Sequence, residues 1–199
     1  MISNYEIRKK SREQLGKGIF DKKWLMAVVA YIVCSAIVGA LSSIGIGLVF
    51  AGRLMFGYYA IFLSVVRGKD EVDIGQLFDG FKGDRFGKSL VLYILTTLYT
   101  FLWSLLFVIP GIVKSYSYSM AFYIMHDRPD LTASQCIDES RRLMDGRKMD
   151  LFCLHLSFIG WAILCVFTFG IGALWLEPYM QTAQANFYEE LKKEKGCDY

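Results

Sequence analysis

The sequence predicts an all-α membrane protein: a polytopic bundle of six transmembrane helices forming three hairpins, each preceded by an amphipathic helix on the cytoplasmic surface. Hydrophobic residues make up 54% of the 199-residue chain and gather in long runs. A run of about 20 apolar residues is what a helix needs to cross the hydrocarbon core of a bilayer. Nearly all charged residues lie between the runs, and one ten-residue sequence occurs twice, at 77–86 and 143–152.

The apolar runs define the predicted membrane helices. We expect them to span residues 24–42, 45–66, 89–109, 111–127, 151–169 and 171–190. The first run is predicted to remain in the membrane rather than to be cleaved as a signal peptide. The 23 residues before Trp24 hold seven Lys or Arg, and a signal peptide has a shorter and less charged N-terminal region.

The distribution of basic residues predicts the topology. Twenty of the 22 Lys and Arg residues lie before residue 24 or within 67–88, 128–148 and 192–195, whereas the turns near 42–43, 109–110 and 169–171 contain no charge. Short loops rich in Lys and Arg stay in the cytoplasm. Both termini and the two long loops are therefore predicted to be cytoplasmic, and the three uncharged turns are predicted to face outward.

A short amphipathic helix is predicted before each hairpin. Each begins with a capping box, in which two side chains satisfy free backbone N–H groups: Ser3 with Glu6, Asp73 with Gln76, and Thr132 with Gln135. Helical spacing puts one set of side chains on a single face in the third helix: Ala133, Cys136, Ile137, Ser140, Leu143 and Met144. The first helix has a comparable face: Ile7, Ser11, Leu15 and Ile19.

The repeated sequence, which we call the elbow motif, is predicted to join each surface helix to the membrane helix that follows. Its shared positions are Leu77, Asp79, Gly80, Lys82, Asp84 and Phe86 in one copy, and Leu143, Asp145, Gly146, Lys148, Asp150 and Phe152 in the other. We expect the glycine to end a helix in the left-handed conformation and the second aspartate to cap the next helix. The lysine can reach lipid phosphates, and the phenylalanine can anchor at the interface.

A degraded third copy of the elbow motif lies at residues 15–24. The chain is thus predicted to be one membrane domain, 1–199, built from three repeat units at about 3–66, 73–127 and 132–195. The alternative is that the copies of the elbow motif arose independently, because every junction between a surface helix and a membrane helix meets the same membrane–water interface.

Three charged residues fall inside the predicted membrane helices. Arg53, Lys114 and Glu177 each lie in the second helix of a hairpin, at similar distances from the leucine of the elbow motif. A charge at the bilayer centre costs about 2.5–3.5 kcal/mol, so such residues usually face a bundle interior or water. The candidate polar site, towards the outer half of the membrane and around a shared axis, contains Arg53, Lys114, Tyr116, Tyr118, Glu177 and Gln181.

Two interpretations of this polar site stay open. It is either a cavity for an anionic or amphiphilic ligand such as a lipid headgroup, or a buried ion pair with one snorkelling side chain that fixes the register of the hairpins. No metal site or cofactor is predicted, because no Cys and His residues have ligand spacing. The nearly balanced charges argue against nucleic acid, whereas the basic stretch at residues 7–17 suits anionic headgroups.

Several segments resemble one bacterial membrane family, catalogued as domain of unknown function 975: residues 77–81, 110–130, 140–148, 156–161 and 170–179. The resemblance implies a multi-pass protein of the bacterial plasma membrane, and it supplies no activity and no catalytic residue.

The function predicted from the sequence is a membrane module that binds lipid or a partner protein, with a further copy of the chain or another membrane protein as possible partners. A small transporter or permeation unit acting as an oligomer is the alternative. An enzyme is not predicted, since the chain holds no nucleophile–base pair, metal-binding motif or phosphate-binding loop.

Overall fold

Helices account for all the regular structure in the described part of the chain. The computed structural model describes residues 3–16, 21–42, 47–68, 72–81, 85–106, 108–168 and 170–197. The α-helices are α1 Asn4–Leu15, α2 Lys22–Ser42, α3 Gly47–Val66, α4 Arg85–Leu106, α5 Val108–Tyr118, α6 Ala121–Asp127, α7 Ala133–Leu143, α8 Lys148–Leu156, α9 Ile159–Phe167 and α10 Ala173–Lys195. A 3-10 helix covers Ile74–Phe81.

The apolar runs form long helices, as predicted. Within the described residues, three stretches are long and apolar enough to cross a membrane: Lys22–Ala40, Gly87–Leu105 and Lys148–Phe167. The apolar helical stretch Phe50–Val66 is shorter than those three. The all-helical fold class is therefore confirmed, together with apolar helices of membrane-spanning length.

The predicted fourth and fifth membrane helices are each interrupted. The fourth divides into α5 and α6 at Ser119, and the fifth divides into α8 and α9 at Ser157. The backbone groups freed at the first break are satisfied by Ser140 of α7, whose hydroxyl donates to the Ser117 carbonyl (2.8 Å) and accepts from the Met120 N–H (3.2 Å). Each of these two stretches therefore consists of two helices, and side chains from other parts of the chain bond to backbone groups at the breaks.

The short helices before the hairpins are partly as predicted. The capping boxes of α1 and α7 are both formed, by Ser3 and by Thr132. All six side chains predicted for the inner face of α7 are buried, as are Ile7, Ser11 and Leu15 of α1; Ile19 lies outside the described residues. The second segment is a 3-10 helix, and Asp73 accepts a hydrogen bond from the Gly75 N–H (2.8 Å), which begins a turn there.

Each of these short helices packs against a helix from another part of the chain. The 3-10 helix lies on α3, α7 lies on α5 and α6, and α1 lies on α10. Gly57 of α3 permits the first contact, because a Cβ atom there would overlap the carbonyl oxygens of Gln76 and Leu77. The leucine at the start of each elbow sequence, Leu15, Leu77 or Leu143, is fully buried by this packing.

The elbow motif differs in detail from the prediction. Gly146 takes the left-handed conformation, with φ +76°, as predicted. Gly80 lies within the 3-10 helix instead, where its lack of a Cβ allows close contact with the Arg53 backbone. Asp150 lies in the first turn of α8 beside Arg147, which occupies the N-cap position, so Asp150 is not the cap. Lys82, Asp84 and the Phe86 side chain fall outside the described residues.

The ends of α3, α6 and α10 meet at one buried carboxylate. Asp127, whose side chain is only 3% exposed, accepts hydrogen bonds from Arg67 (2.6 Å), Tyr188 (2.9 Å) and Lys192 (2.9 Å). We call these four residues the Asp127 cluster. Away from the cluster, the faces of α4 and α9 expose large apolar side chains, among them Leu105, Val166 and Phe167. Exposed apolar surface of this extent is typical of contact with lipid or with another protein.

Candidate functional site

The structure distributes the three predicted intramembrane charges over three different surroundings. Arg53 is 3% exposed, and its guanidinium lies 5.8 Å from the ring centre of Phe50 and 5.7 Å from that of Phe81. Cations over aromatic faces are stabilised by the ring quadrupole. Arg53 therefore helps to hold the 3-10 helix on α3.

Lys114 lies beside residues of the second long loop. Its ammonium group is 4.7 Å from the Trp103 ring centre, and it interacts electrostatically with Arg141 and Lys148. The sequence placed Lys114 towards the outer half of the membrane, away from those two residues. The docking of α7 against α5 brings all three cations together instead.

A polar cavity of about 450 Å³, which we call the basic basin, opens between α5, α7, the start of α8 and the end of α10. Its lining consists of five cationic side chains, two carboxylates and one serine: Lys114, Arg141, Arg142, Lys148, Lys195, Asp138, Asp145 and Ser117. Asp138 is paired with Arg141 at 3.1 Å. The first turn of α8 borders the basin, and no side chain caps its N–H groups. Excess positive charge and free N–H groups together favour an anionic ligand.

An aromatic cleft of about 260 Å³ adjoins the basic basin. The two cavities share the side chains of Lys114, Asp138 and Arg141, and the cleft is completed by Tyr99, Trp103, Tyr118, Ser134 and Ile137. The combined space is therefore charged at one end and largely aromatic at the other. An amphiphile has the same arrangement, with a charged headgroup at one end and an apolar part at the other.

Tyr116 and Tyr118, both predicted for the polar site, lie on nearly opposite sides of α5, because residues two positions apart on a helix are about 200° apart around its axis. Tyr118 is 7% exposed, packs against Tyr99 with ring centres 6.2 Å apart, and lines the aromatic cleft. The Tyr116 hydroxyl lies 3.3 Å from His155 Nδ1, and its ring meets Phe152 of the elbow motif edge-on at 6.0 Å. Tyr116 thus joins α5 to α8, whereas Tyr118 belongs to the cleft.

Glu177 and Gln181 lie in a third place, near buried tyrosines. The Gln181 side-chain nitrogen donates to the Glu177 carboxylate at 2.9 Å, and that carboxylate interacts electrostatically with Tyr58, Tyr59 and Tyr123. No ion pair joins Glu177 to a described Lys or Arg. We call Tyr58, Tyr123, Glu177 and Gln181 the central cluster, because they come from α3, α6 and α10, the second helices of the predicted hairpins.

A further cavity, of about 340 Å³, lies between α2, α9 and α10 and is mainly apolar. The residues that line it include Arg12, Tyr179 and three tryptophans, Trp24, Trp161 and Trp175. The Trp24 indole N–H donates to the Trp175 carbonyl at 3.3 Å, which ties α2 to α10 there. Such a space suits an apolar chain.

The cysteines form no metal-binding group among the described residues. No group of three or more His, Cys, Asp and Glu side chains is arranged there to hold a metal ion. Cys136 lies on the buried face of α7, and burial raises the pKa of its thiol to about 11. The thiol is therefore protonated and a poor nucleophile at neutral pH.

Sequence reasoning found Lys114, Tyr118 and Lys148 but missed their neighbour Arg141, which does not belong to the face predicted to be buried in α7. The angle at which α7 docks decides this contact, and no local pattern encodes that angle. Tyr58 and Tyr123 were missed because a neutral tyrosine within an apolar run is not unusual. The polar residues Gln181 and Glu177, one helical turn apart on α10, were the available signal for the central cluster.

Comparison with known proteins gives one match. The model of the family described as proteins of unknown function, DUF975, matches residues 1–115 and 105–195. No curated protein and no solved structure matches the chain.

Proposed function

The chain belongs to the DUF975 family of proteins of unknown function, and from its geometry we propose that it is a non-catalytic membrane module that binds an anionic phospholipid. The headgroup occupies the basic basin, and the adjoining part of the lipid lies in the aromatic cleft. The single observation that carries this proposal is that the two cavities share Lys114 and Arg141. One ligand can therefore place its charge and its apolar part in adjoining spaces.

The proposal includes a six-helix topology in a bacterial plasma membrane. The membrane segments are α2, α3, α4, α5 with α6, α8 with α9, and α10, with both termini in the cytoplasm. Exposed apolar faces on α4 and α9 and the gathering of basic residues in the loops support it. Arg141, Arg142 and Lys148 of the basic basin then lie on the cytoplasmic side, where anionic headgroups are found, and Lys114 lines the basin from within the membrane segment.

A three-fold internal repeat fits the packing of the short helices. The helix that begins each unit lies on the second membrane helix of the preceding unit, with α1 closing the ring on α10. This arrangement explains why the elbow leucine is buried in each unit. It also puts α3, α6 and most of α10 at the centre and leaves α4 and α9 at the lipid-facing edge.

Repulsion within the basic basin gives the physical reason for binding. Lys114 lies in the repulsive field of Arg141 and Lys148, and like charges held near one another raise the free energy of the empty site. A phosphate group relieves that repulsion and accepts charge-assisted hydrogen bonds, each contributing about 1.5–3 kcal/mol. Trp103 and Tyr99 then supply apolar contact for the glycerol and the first methylenes.

We predict that Lys114→Gln and Arg141→Gln each weaken binding of phosphatidylglycerol by about tenfold or more, because each removes one charged contact. The measurement is a lipid titration of the purified protein followed by native mass spectrometry. Phosphatidylcholine, whose headgroup has no net charge, is expected to bind weakly and equally to every variant.

Lys193→Gln is the matched control. It also removes one cation, but Lys193 pairs with Glu190 and does not line the basin. Its affinity for phosphatidylglycerol is expected to stay within about twofold of that of the unmodified chain. Equal losses in all three variants, or no loss in any, would contradict a site in the basic basin.

A small transporter acting as an oligomer is the second candidate, and the observation that favours it is the central cluster. Polar groups at the meeting point of three membrane helices are typical of substrate or ion pathways. Flux of ions into proteoliposomes that contain the protein tests this candidate.

A further inference from the structure

The mainly apolar cavity between α2, α9 and α10 is narrow and open on one side. We call it the tryptophan cavity, after Trp24, Trp161 and Trp175 in its lining. Its volume of about 340 Å³ is near the lower end of the range of about 300–1,000 Å³ that is typical of ligand pockets. Trp24 is buried, whereas Trp161 and Leu164 of α9 are more than half exposed. A slender apolar molecule can therefore enter on the side of α9, which faces lipid in the proposed topology.

The tryptophan cavity runs along α9 and α10. Gly172 and Tyr179 both line it and are seven residues apart, which corresponds to about 10 Å along a helix. Thr168 lies at the same end as Gly172, because its hydroxyl oxygen accepts a hydrogen bond from the Gly172 N–H at 3.0 Å. At the other end the Tyr179 hydroxyl donates to the Arg8 carbonyl of α1 at 3.0 Å. The cavity thus extends from the turn before α10 to α1.

Of the described residues that line the tryptophan cavity, Arg12 of α1 alone carries a charge. It follows Arg8 by about one helical turn, which places it at the same end as Tyr179. In the described part of the chain its guanidinium forms no ion pair. The Trp24 N–H and the Tyr179 hydroxyl already donate to backbone carbonyls. A ligand therefore meets mainly apolar walls and one available cation.

This combination fits a long-chain carboxylate. A guanidinium group presents two parallel N–H donors that match the two oxygens of a carboxylate, and it stays protonated over the whole pH range of interest. The aromatic rings of the lining offer a large contact area to a hydrocarbon chain. The small volume favours the single chain of a fatty acid over the two chains of a phospholipid.

We propose that the tryptophan cavity binds a long-chain fatty acid, with the carboxylate on Arg12 and the chain between α9 and α10. The described lining shares no residue with the basic basin or the aromatic cleft, so this site is independent of the proposed phospholipid site. The bound molecule contacts α1, α2, α9 and α10, and thereby connects the first predicted repeat unit to the third.

The four tryptophans of the chain provide the measurement. Trp103 lines the aromatic cleft, and the other three line the tryptophan cavity. In a Trp103→Phe protein all tryptophan fluorescence therefore comes from the cavity. A fatty acid with bromine in its chain quenches a tryptophan on contact. We expect saturable quenching when this acid is titrated into the detergent-solubilised Trp103→Phe protein at alkaline pH, where the carboxyl group is ionised.

The methyl ester of the brominated acid is the matched ligand without a charge. It is expected to bind about tenfold or more weakly, because it forms no charge-assisted hydrogen bonds with Arg12. Arg12→Gln is expected to reduce the affinity for the acid to that for the ester. Lys9→Gln removes an exposed cation of α1 that does not line the cavity, and its affinity for the acid is expected to stay within about twofold.

Cys165→Phe, which adds a ring within the cavity, is expected to abolish saturable quenching by both ligands. Val166→Phe is its control, because Val166 is 75% exposed and does not line the cavity. If Cys165→Phe does not fold, the comparison of acid and ester in Arg12→Gln still tests the site.

Three results would overturn the proposal. Quenching that never saturates reports only acid dissolved in the detergent. Equal affinities for acid and ester in the Trp103→Phe protein would exclude a carboxylate bound to Arg12. Equally tight quenching by brominated phosphatidylglycerol would assign the cavity to a phospholipid chain instead of a fatty acid.

Discussion

Gly57→Ala is expected to lower the free energy of unfolding by about 3 kcal/mol. The added methyl group would overlap the carbonyl oxygens of Gln76 and Leu77, which are backbone atoms of the 3-10 helix and cannot rotate away. Overpacking of a well-packed site costs about 1–3 kcal/mol, and a clash with backbone belongs at the upper end. Unfolding from mild detergent by a titration with sodium dodecyl sulfate, followed by tryptophan fluorescence, measures the change.

Gly160→Ala is the control for Gly57→Ala. Gly160 is also helical, in α9, but nothing lies within 4 Å of the position that its Cβ would occupy. Alanine favours helix by up to about 1 kcal/mol over glycine, so this variant is expected to be as stable as the unmodified chain or slightly more stable. Equal stability of the two variants would show that the 3-10 helix does not lie on α3 at Gly57.

Asp127→Asn is expected to destabilise the protein by about 3 kcal/mol. The carboxylate that it removes is 3% exposed and balances Arg67 and Lys192, the latter 9% exposed at its side chain. Removing one partner of a buried ion pair costs about 3–5 kcal/mol, because the remaining charge stays buried without compensation. Arg67 keeps its bond to Glu189 and is about one-third exposed, which places the expected loss at the lower end.

Two further variants separate the Asp127 cluster from a general effect of charge. Asp138→Asn removes a carboxylate that is 71% exposed and paired with Arg141, so its effect is expected to stay within about 0.5 kcal/mol. Adding Lys192→Met to Asp127→Asn is expected to recover part of the lost stability, because the uncompensated cation is gone. The same titration with sodium dodecyl sulfate measures all three variants and the single variant Lys192→Met. If the stability changes of Asp127→Asn and Lys192→Met simply add in the double variant, Asp127 and Lys192 are not bonded to each other.

Much of the fold follows from patterns within single segments. The spacing of Cys136, Ser140 and Leu143 predicts the buried face of α7, and the face is buried. The capping boxes at Ser3 and Thr132 predict where α1 and α7 begin, and both helices begin there. These features depend on bonds between neighbours in the chain, which a single sequence displays directly.

The breaks in the helices could not be predicted in the same way. The break after Tyr118 is stabilised by the hydroxyl of Ser140, more than 20 positions later in the chain. The break after Leu156 is stabilised by Arg8, from the opposite end of the sequence. Only the packed structure brings those groups to the free carbonyls.

The candidate site was only partly predictable, because some of its contacts also depend on how the helices pack. Lys114 is conspicuous as a charge in an apolar run, whereas Arg141 looks like any other solvated residue of an amphipathic helix. Their contact depends on how α7 docks on α5. The sequence therefore identifies Lys114, Asp145 and Lys148 of the basic basin, and the tertiary structure supplies the residues around them.

The most direct test of the proposed topology is the labelling of single cysteines with a membrane-impermeant maleimide, in a variant whose five native cysteines are serine. Asp145→Cys and Ile171→Cys both place the thiol at an exposed position. On intact cells we expect labelling at 171, in an outward turn, and protection at 145, in the cytoplasmic loop, until the membrane is permeabilised. Labelling at 145 from outside the intact cell would contradict three hairpins with a cytoplasmic basic basin.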